Sequence, residues 1–379
     1  MSNLDQPSGK LTVIPGNEVK YFIIGGDEMK LKFEQTKKEV INKTVKRIQE
    51  ENSLHDILNK LKELSPILVT GSSGYLGSAL VETLRLHEIP TIGIDLVNAT
   101  TTDFVGCVSD LEFIRKVTKS GCKSIIHTAA LHAPNLDYYS ETEYERVNVI
   151  GTRNILTTAK EFQIKFVVFS STTSLMITNE VKQREKEGDH PVVLEELMDY
   201  GTPRNIYGLT KKTAETICLD NKDLNIAILR CSRFFAEDVY DTGVKPSERS
   251  ILTTNGNVKA NEILCGTRAS LEDTVLAHLV ALDRLSDEQK MTIGSNSIIG
   301  PLIISSISPL LCNSFDMSVA KDSRLYKECT WTHPNRVCRI YDSTNSWKRL
   351  NICPKWNFQR LVREFSQGTN VEIVQEGHY

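Results

Sequence analysis

Short apolar runs alternate with longer amphipathic stretches between residues 66 and 231. "PILVTG" (66–71), "TIGIDL" (91–96), "SIIHTAA" (124–130), "KFVVFSS" (165–171) and "NIAILRC" (225–231) read as buried strands. "YLGSALVETLRLH" (75–87), "DLEFIRKVTKS" (110–120), "ERVNVIGTRNILTTAKEF" (145–162) and residues 207–219 carry apolar positions at helical spacing. Strands of Val, Ile and Phe separated by helices predict an α/β fold with a doubly wound parallel sheet covered on both faces. The polar stretch 178–197 breaks this rhythm and reads as a surface loop. Beyond residue 232 the alternation weakens, although "SLEDTVLAHLVALDRL" (270–285) is a helix with Ser270 at its cap.

Residues 1–65 follow a different pattern. "KLTVIP", "VKYFIIGG" and "MKLKF" read as three short strands. Two helices follow, one at about 36–50 with Val40, Ile41, Val45 and Ile48 on one face. The other starts at Ser53, with Asp56 completing an approximate capping box and an apolar stripe of Leu54, Ile57, Leu58, Leu61 and Leu64. The expected division is therefore a small α+β module over 1–65 and a catalytic domain over 66–379. The nucleotide-binding core of that domain covers about 66–232, and a substrate lobe lies mainly within 233–379.

Totals narrow the function. A net charge of −3 argues against a broad nucleic-acid-binding surface. Nine scattered cysteines without CxxC or His/Cys spacing argue against a metal site and for reduced thiols in the cytoplasm. No apolar run is long enough to span a bilayer.

The chemistry begins at "GSSGYLG". Gly71 turns the chain after a strand, Gly74 lets backbone approach a diphosphate, and Gly77 lets the helix pack on the sheet. Free N–H groups of Tyr75 and Leu76, with Ser73 beside them, would face the anion at the helix N-terminus. This is a Rossmann-type turn. Asp95 ends the next strand, 18 residues past Gly77, where a carboxylate binds ribose hydroxyls. No Lys or Arg follows Asp95 until Arg115, which favours NAD over NADP. Asp110, followed by Leu111, either reaches the adenine or caps the helix at 110–120. Further on, "IYGLTKKTAE" sets Tyr207 and Lys211 on one helical face. An ammonium favours the phenolate of a tyrosine that is otherwise a poor base. Ahead of this pair, "FVVFSSTTSL" ends a strand in hydroxyls.

Glycine turn, ribose carboxylate, hydroxylated strand end and Tyr-x-x-x-Lys, in this order, resemble the extended short-chain dehydrogenase/reductases, in particular the NAD-dependent epimerase/dehydratase branch, over roughly 66–365. The resemblance implies NAD as cofactor and Thr172, Tyr207 and Lys211 as the catalytic set, with Thr173 the runner-up to Thr172. "IIHTAALHAP" implies a strand under the cofactor with Thr128, Ala129 and Ala130 in contact, and "NVIGTRNIL" implies Asn148 as a supporting residue. Ser170 joins the cofactor set. Absence of an Asp–Glu pair beside Thr172 argues against a sugar dehydratase. For the substrate, a small molecule such as a nucleotide sugar, the candidates are His132, Thr173, Arg233, Asn261 and Arg268. His132 has a purely structural reading as well, and the arginines have surface or structural ones. A non-sugar carbonyl compound, or a non-enzymatic NAD-binding role, stays open. Residues 1–65 resemble, in pattern, PqqD-like peptide-recognition domains, which implies a peptide partner; a packing or dimerisation module is the alternative. Family members often pair through helices equivalent to 137–162 and 203–219, implying a homodimer.

Overall fold

The computed structural model describes residues 26–51, 54–187, 191–235, 264–286, 298–311 and 339–358. Seven parallel strands form its central sheet, in the order β10-β7-β5-β4-β1-β2-β3. They are β1 (Ile67–Thr70), β2 (Thr91–Asp95), β3 (Phe104–Val105), β4 (Ser124–His127), β5 (Phe166–Thr172), β7 (Asn225–Cys231) and β10 (Ile298–Ile304). Every residue of β1 and β4 is buried, as expected of strands covered on both faces. The order 3-2-1-4-5 on one side of the sheet reverses direction between β1 and β4, and ligands bind such sheets outside the carboxyl ends at that switch. β10 lies far down the chain yet completes this sheet beside β7, paired from Ile298↔Ile226 to Ile304↔Cys231 with a register shift between Ile299 and Leu302.

One face carries α3 (Tyr75–Leu86), α9 (Leu271–Ser286) and α10 (Thr344–Leu350). The other carries α4 (Leu111–Thr118), α6 (Gly151–Glu161) and α8 (Ile206–Asp220). Ser270 caps α9, its Oγ accepting the Asp273 N–H at 2.8 Å. Trp347 and Trp356 are fully buried, and the Trp347 indole N–H donates to Ser305 O at 2.8 Å. Two smaller parallel pairs complete the fold: β6 (Val192–Leu194) with β11 (Arg339–Tyr341), and β8 (Arg233–Phe235) with β9 (Arg268–Ser270).

Three expectations change. "MKLKF" is not a strand: α1 runs from Gly26 to Gln49 and contains it. Its neighbours in sequence alternate weakly, and the longer helical stripe that follows extends back over it. The pattern that resembled a peptide-recognition domain thus loses its third strand, and the first two lie outside the described residues. Second, α2 (His55–Glu63) begins after Leu54, which makes no side-chain cap bond; Ser53 lies outside the described residues. Third, 178–197 is not a plain loop. It holds α7 (Asn179–Glu187) and β6, fixed because Glu185, buried on α7, accepts from both Lys182 and Arg339.

Helices α1 and α2 do not stand apart. Val40, Ile41, Val45, Ile48, Leu54, Leu58 and Leu61 are buried in one continuous core with Ile67, Leu80, Val275 and Leu279.

Candidate active site

The glycine turn joins β1 to α3. Gly71 has φ +70°, and a Cβ there would meet Ala129 N at 2.8 Å. At Gly77 a Cβ would lie 2.0 Å from Gly71 O, so no side chain fits. Gly74 is different: its only close neighbour would be Gly71 O at 3.3 Å, which leaves the approach to the helix open. Ser78 N–H makes the first return bond of α3, to Gly74 O at 2.9 Å. The N–H groups before it aim out of the helix end, the arrangement that favours an anion. Asp95 closes the turn from the side. Its Oδ2 accepts Ser73 N–H at 3.0 Å and its Oδ1 accepts Val97 N–H at 3.1 Å. Asp110 caps α4, its Oδ1 accepting Phe113 N–H at 3.1 Å, with Leu111 the first residue of that helix.

β4 and the loop after it form the floor. Thr128 Oγ1 donates to Thr70 O at 2.6 Å, and Ala129 N–H to Thr70 Oγ1 at 3.1 Å; Ala130 follows, half-buried. Thr70 Oγ1 lies 2.7 Å from His127 Nδ1, while His127 Nε2 lies 3.2 Å from Thr152 Oγ1. Thr152 donates onward to Asn148 O at 2.7 Å, so the network assigns the imidazole proton to Nε2. Burial, then the charge of Lys211, lower the His127 pKa to about 3, so this histidine is neutral.

Asn148 sits in a π-helical segment (Glu145–Ile150) between α5 (Glu141–Tyr144) and α6. It is almost fully buried. Its Oδ1 accepts Leu131 N–H at 2.8 Å, and its amide donates to Leu131 O at 3.1 Å and to Thr210 Oγ1 at 3.1 Å. Asn148 therefore pins the loop after β4 to α8.

The catalytic candidates meet at the carboxyl end of β5. Asn205 caps α8 by accepting Gly208 N–H at 2.8 Å, which starts the helix under Tyr207. A Cβ on Gly208 would lie 3.0 Å from Ser174 O, so the helix presses against the turn that follows Thr172. Tyr207 is buried. Burial pushes its phenol above the usual tyrosine range, and a hydrogen bond with Thr172 opposes this. Its hydroxyl is 3.4 Å from His132 Nδ1. Thr172 Oγ1 also accepts Ser174 N–H at 3.1 Å; Thr173 is buried in the turn. Lys211 is buried as well. Its Nζ donates to Ser170 O at 2.6 Å and lies 4.1 Å from the centre of the Phe169 ring. Burial lowers its pKa to about 8. The ammonium is committed to a backbone carbonyl rather than to the phenol. Sequence reasoning missed His278 of α9. Its Nδ1 lies 2.7 Å from Thr274 O and its Nε2 2.7 Å from Ser170 Oγ, so Nδ1–H donates to the carbonyl and Nε2 accepts from the serine. No local motif marks it, because the contact spans 108 residues.

Of the substrate candidates, Arg233 and Arg268 are register partners in the β8–β9 pair, Arg233 exposed and Arg268 buried. Arg233 lies two residues beyond Cys231, which is itself the partner of Thr172 across β7 and β5. Asn261 lies outside the described residues. A cavity of about 300 Å³ is lined by Ser174, Ile177, Arg204 and Asn205.

Residues 67–294 match the NAD dependent epimerase/dehydratase family. The chain belongs to that family. By that membership it is an NAD-dependent enzyme. Curated relatives of this family member include the 3 beta-hydroxysteroid dehydrogenase/Delta 5→4-isomerase of vaccinia virus (strain Ankara), 27% identical over 187 residues, 46% of this chain and 51% of that protein. A putative UDP-glucose 4-epimerase of Methanocaldococcus jannaschii is 28% identical over 184 residues, 45% of this chain and 56% of that one. The sterol-4-alpha-carboxylate 3-dehydrogenase (decarboxylating) of Candida albicans is 27% identical over 196 residues, 46% of this chain and 52% of that one. The matched segments thus span about half the length of these relatives. Among solved structures, UDP-glucose 4-epimerase of Thermotoga maritima with UDP-glucose aligns with a TM-score of 0.52 at 18% identity, covering 79% of this chain and 97% of that one. At that identity the likeness speaks for the fold. The epimerase/dehydratase turn fits a dinucleotide on its own geometry: Gly74 leaves the helix end open, and the buried Ser73 Oγ has no hydrogen-bond partner. Among the described residues no helix is long and apolar enough to cross a membrane, and no cluster of His, Cys, Asp and Glu is suited to a metal.

Proposed function

We propose that this family member oxidises or reduces a hydroxyl-bearing or carbonyl carbon of a small molecule, with Tyr207, Lys211 and Thr172 as its catalytic residues. The reading is carried by Tyr207 and Lys211, both buried one turn apart on α8, with Lys211 Nζ donating to Ser170 O on β5, the strand that ends at Thr172. NAD supplies the hydride acceptor and donor. Gly71, Ser73, Gly74, Tyr75, Leu76 and Gly77 bind its diphosphate side, Asp95 its ribose, and Thr128, Ala129, Ala130, Ser170 and Lys211 its nicotinamide half. Tyr207 exchanges a proton with the substrate oxygen while Thr172 polarises the same oxygen. Lys211, one turn from Tyr207 on α8 and held by Ser170 O, supplies a positive charge that opposes the effect of burial, which pushes the phenol toward its neutral form.

For the substrate we favour a nucleotide sugar. Support comes from Arg233, exposed just beyond the catalytic strand end, where a guanidinium suits a diphosphate. The UDP-sugar relatives point the same way. A second reading, a hydroxysteroid or sterol, rests on the viral and fungal relatives. A peptide substrate recruited by residues 1–65 loses its main support with the helical placement of "MKLKF".

The test is direct. Purified Tyr207→Phe should bind NAD with unchanged affinity and lose at least about a hundredfold in turnover; an unchanged rate would sink the catalytic assignment. A panel of UDP-hexoses and 3β-hydroxysteroids decides the substrate class. Turnover of the steroids alone overturns the sugar reading. NAD retained through purification would fit an epimerase, which regenerates its cofactor in every cycle.

A further inference from the structure

Tyr207 has a partner from outside its own helix. His132 lies in the loop after β4, and its Nδ1 is 3.4 Å from the Tyr207 hydroxyl. The two ring centres are 5.8 Å apart, with the planes tilted at 59°. The backbone of His132 is fixed at both polar groups. Its N–H donates to Asn135 Oδ1 at 2.8 Å, and its carbonyl accepts the hydroxyl of the buried Tyr144 at 2.7 Å. The residue before it, Leu131, is held at both of its backbone groups by Asn148. A loop anchored in this way presents the imidazole in one place. The other ring nitrogen, Nε2, makes no hydrogen bond among the described residues, and His132 is exposed. Tyr207 and Lys211 are both buried, so neither opens the phenol to water. His132 touches the phenol oxygen with one nitrogen and leaves the other open.

We propose that His132 is a proton relay between Tyr207 and bulk water. The inference rests on Tyr207 being the group that exchanges a proton with the substrate. A neutral imidazole accepts at one nitrogen and donates at the other, which is the property a relay needs. In the oxidising direction the phenol gives its proton to His132 Nδ1 while Nε2 releases one to water. The resulting phenolate takes the O–H proton of the substrate as the C–H electron pair leaves as hydride to NAD and a carbonyl forms. One proton has then entered solution, Tyr207 is protonated again, and exchange with water restores the imidazole tautomer. Reduction runs the same path backward. The relay suits net oxidation or reduction, since a cycle that returns the hydride to its carbon leaves no proton to deliver.

Two measurements on the full chain test it. The first is nitrogen NMR of protein with isotope-labelled histidine and no cofactor. Tyr207→Phe should shift the Nδ1 resonance of His132, which is identified by its loss in His132→Ala. An unmoved resonance overturns the inference, whatever the enzyme turns over. The second uses saturating NAD and, as probe, whichever UDP-hexose or 3β-hydroxysteroid the wild type oxidises fastest. His132→Ala should lower kcat about ten- to a hundredfold with KM within about twofold, and added imidazole should restore a large part of the loss. His132→Phe should lose as much and gain nothing from imidazole. An unchanged kcat in His132→Ala overturns the inference. So does a loss that imidazole leaves in place, since that marks His132 as a substrate contact or a packing residue. Failure of the wild type to oxidise any of these compounds overturns the proposed activity, and the relay with it.

Discussion

Ser170 serves two partners through two atoms. Its carbonyl holds the Lys211 ammonium and its hydroxyl donates to His278. Both partners titrate unusually. Burial lowers the His278 pKa to about 4. An unfolded chain takes a proton at this histidine below about 6.5, whereas the folded chain does so only below about 4. Its contribution to stability is therefore complete above pH 6.5 and lost as the pH falls toward 4, by up to roughly 3 kcal/mol. Urea unfolding at pH 7.0 and 4.5 should show the drop, and His278→Asn should narrow it. Lys211, with its pKa lowered to about 8, is charged below that pH and neutral above it. With NAD as the varied reactant, kcat/KM should fall above about pH 8, and Lys211→Arg should move that limb upward. The tyrosine, lysine and threonine were legible in the sequence because two of them share a helix face and the third ends an apolar strand. His278 was not, because nothing local ties α9 to β5. The bond from Lys37 of α1 to Ser73 O was hidden for the same reason: 36 residues separate the two, and only packing brings them together.

At the scale of elements, the strands read most clearly. β7 spans the seven residues expected of it, because a fully buried strand is a continuous apolar run. The helix read over 145–162 holds a feature no periodicity would reveal, a π-helical segment carrying Asn148. Asn148→Ala would strip Leu131 N–H and C=O of their partner, at about 1–3 kcal/mol for each buried group. Chemical unfolding should record that loss, and turnover should fall as the loop after β4 loosens. Gly77→Ala is harsher. Its methyl would sit 2.0 Å from Gly71 O, so the turn must open, and NAD affinity should fall by more than tenfold even where the fold survives. The strand misread at "MKLKF" shows the limit of pattern. A five-residue alternation of apolar and charged positions suits either element, and the helix that continues through Gln49 decides it.

Across the whole molecule, α1 and α2 are structural partners of the domain behind them. Six apolar side chains of α1 and α2, and Leu54 just ahead of α2, are buried in the shared core. At about 1.5–3 kcal/mol each, their burial rivals the net stability of a typical domain. Removal of residues 1–65 should therefore yield an insoluble or unfolded chain rather than a free-standing catalytic domain, as expression and calorimetry of the truncated protein would show. β10 makes the same point from the other end, since the sheet takes its outermost strand from residues 298–304.

The packing of α2 against α9 also has a consequence for synthesis. Leu58 and Leu61 leave the ribosome more than 200 residues before Val275 and Leu279, the side chains with which they share a core. At about 5–20 residues per second, that apolar stripe waits on the order of ten seconds or more for its partner. During this interval the growing chain shows a sticky surface that the finished enzyme conceals, and chaperone demand should be greatest then.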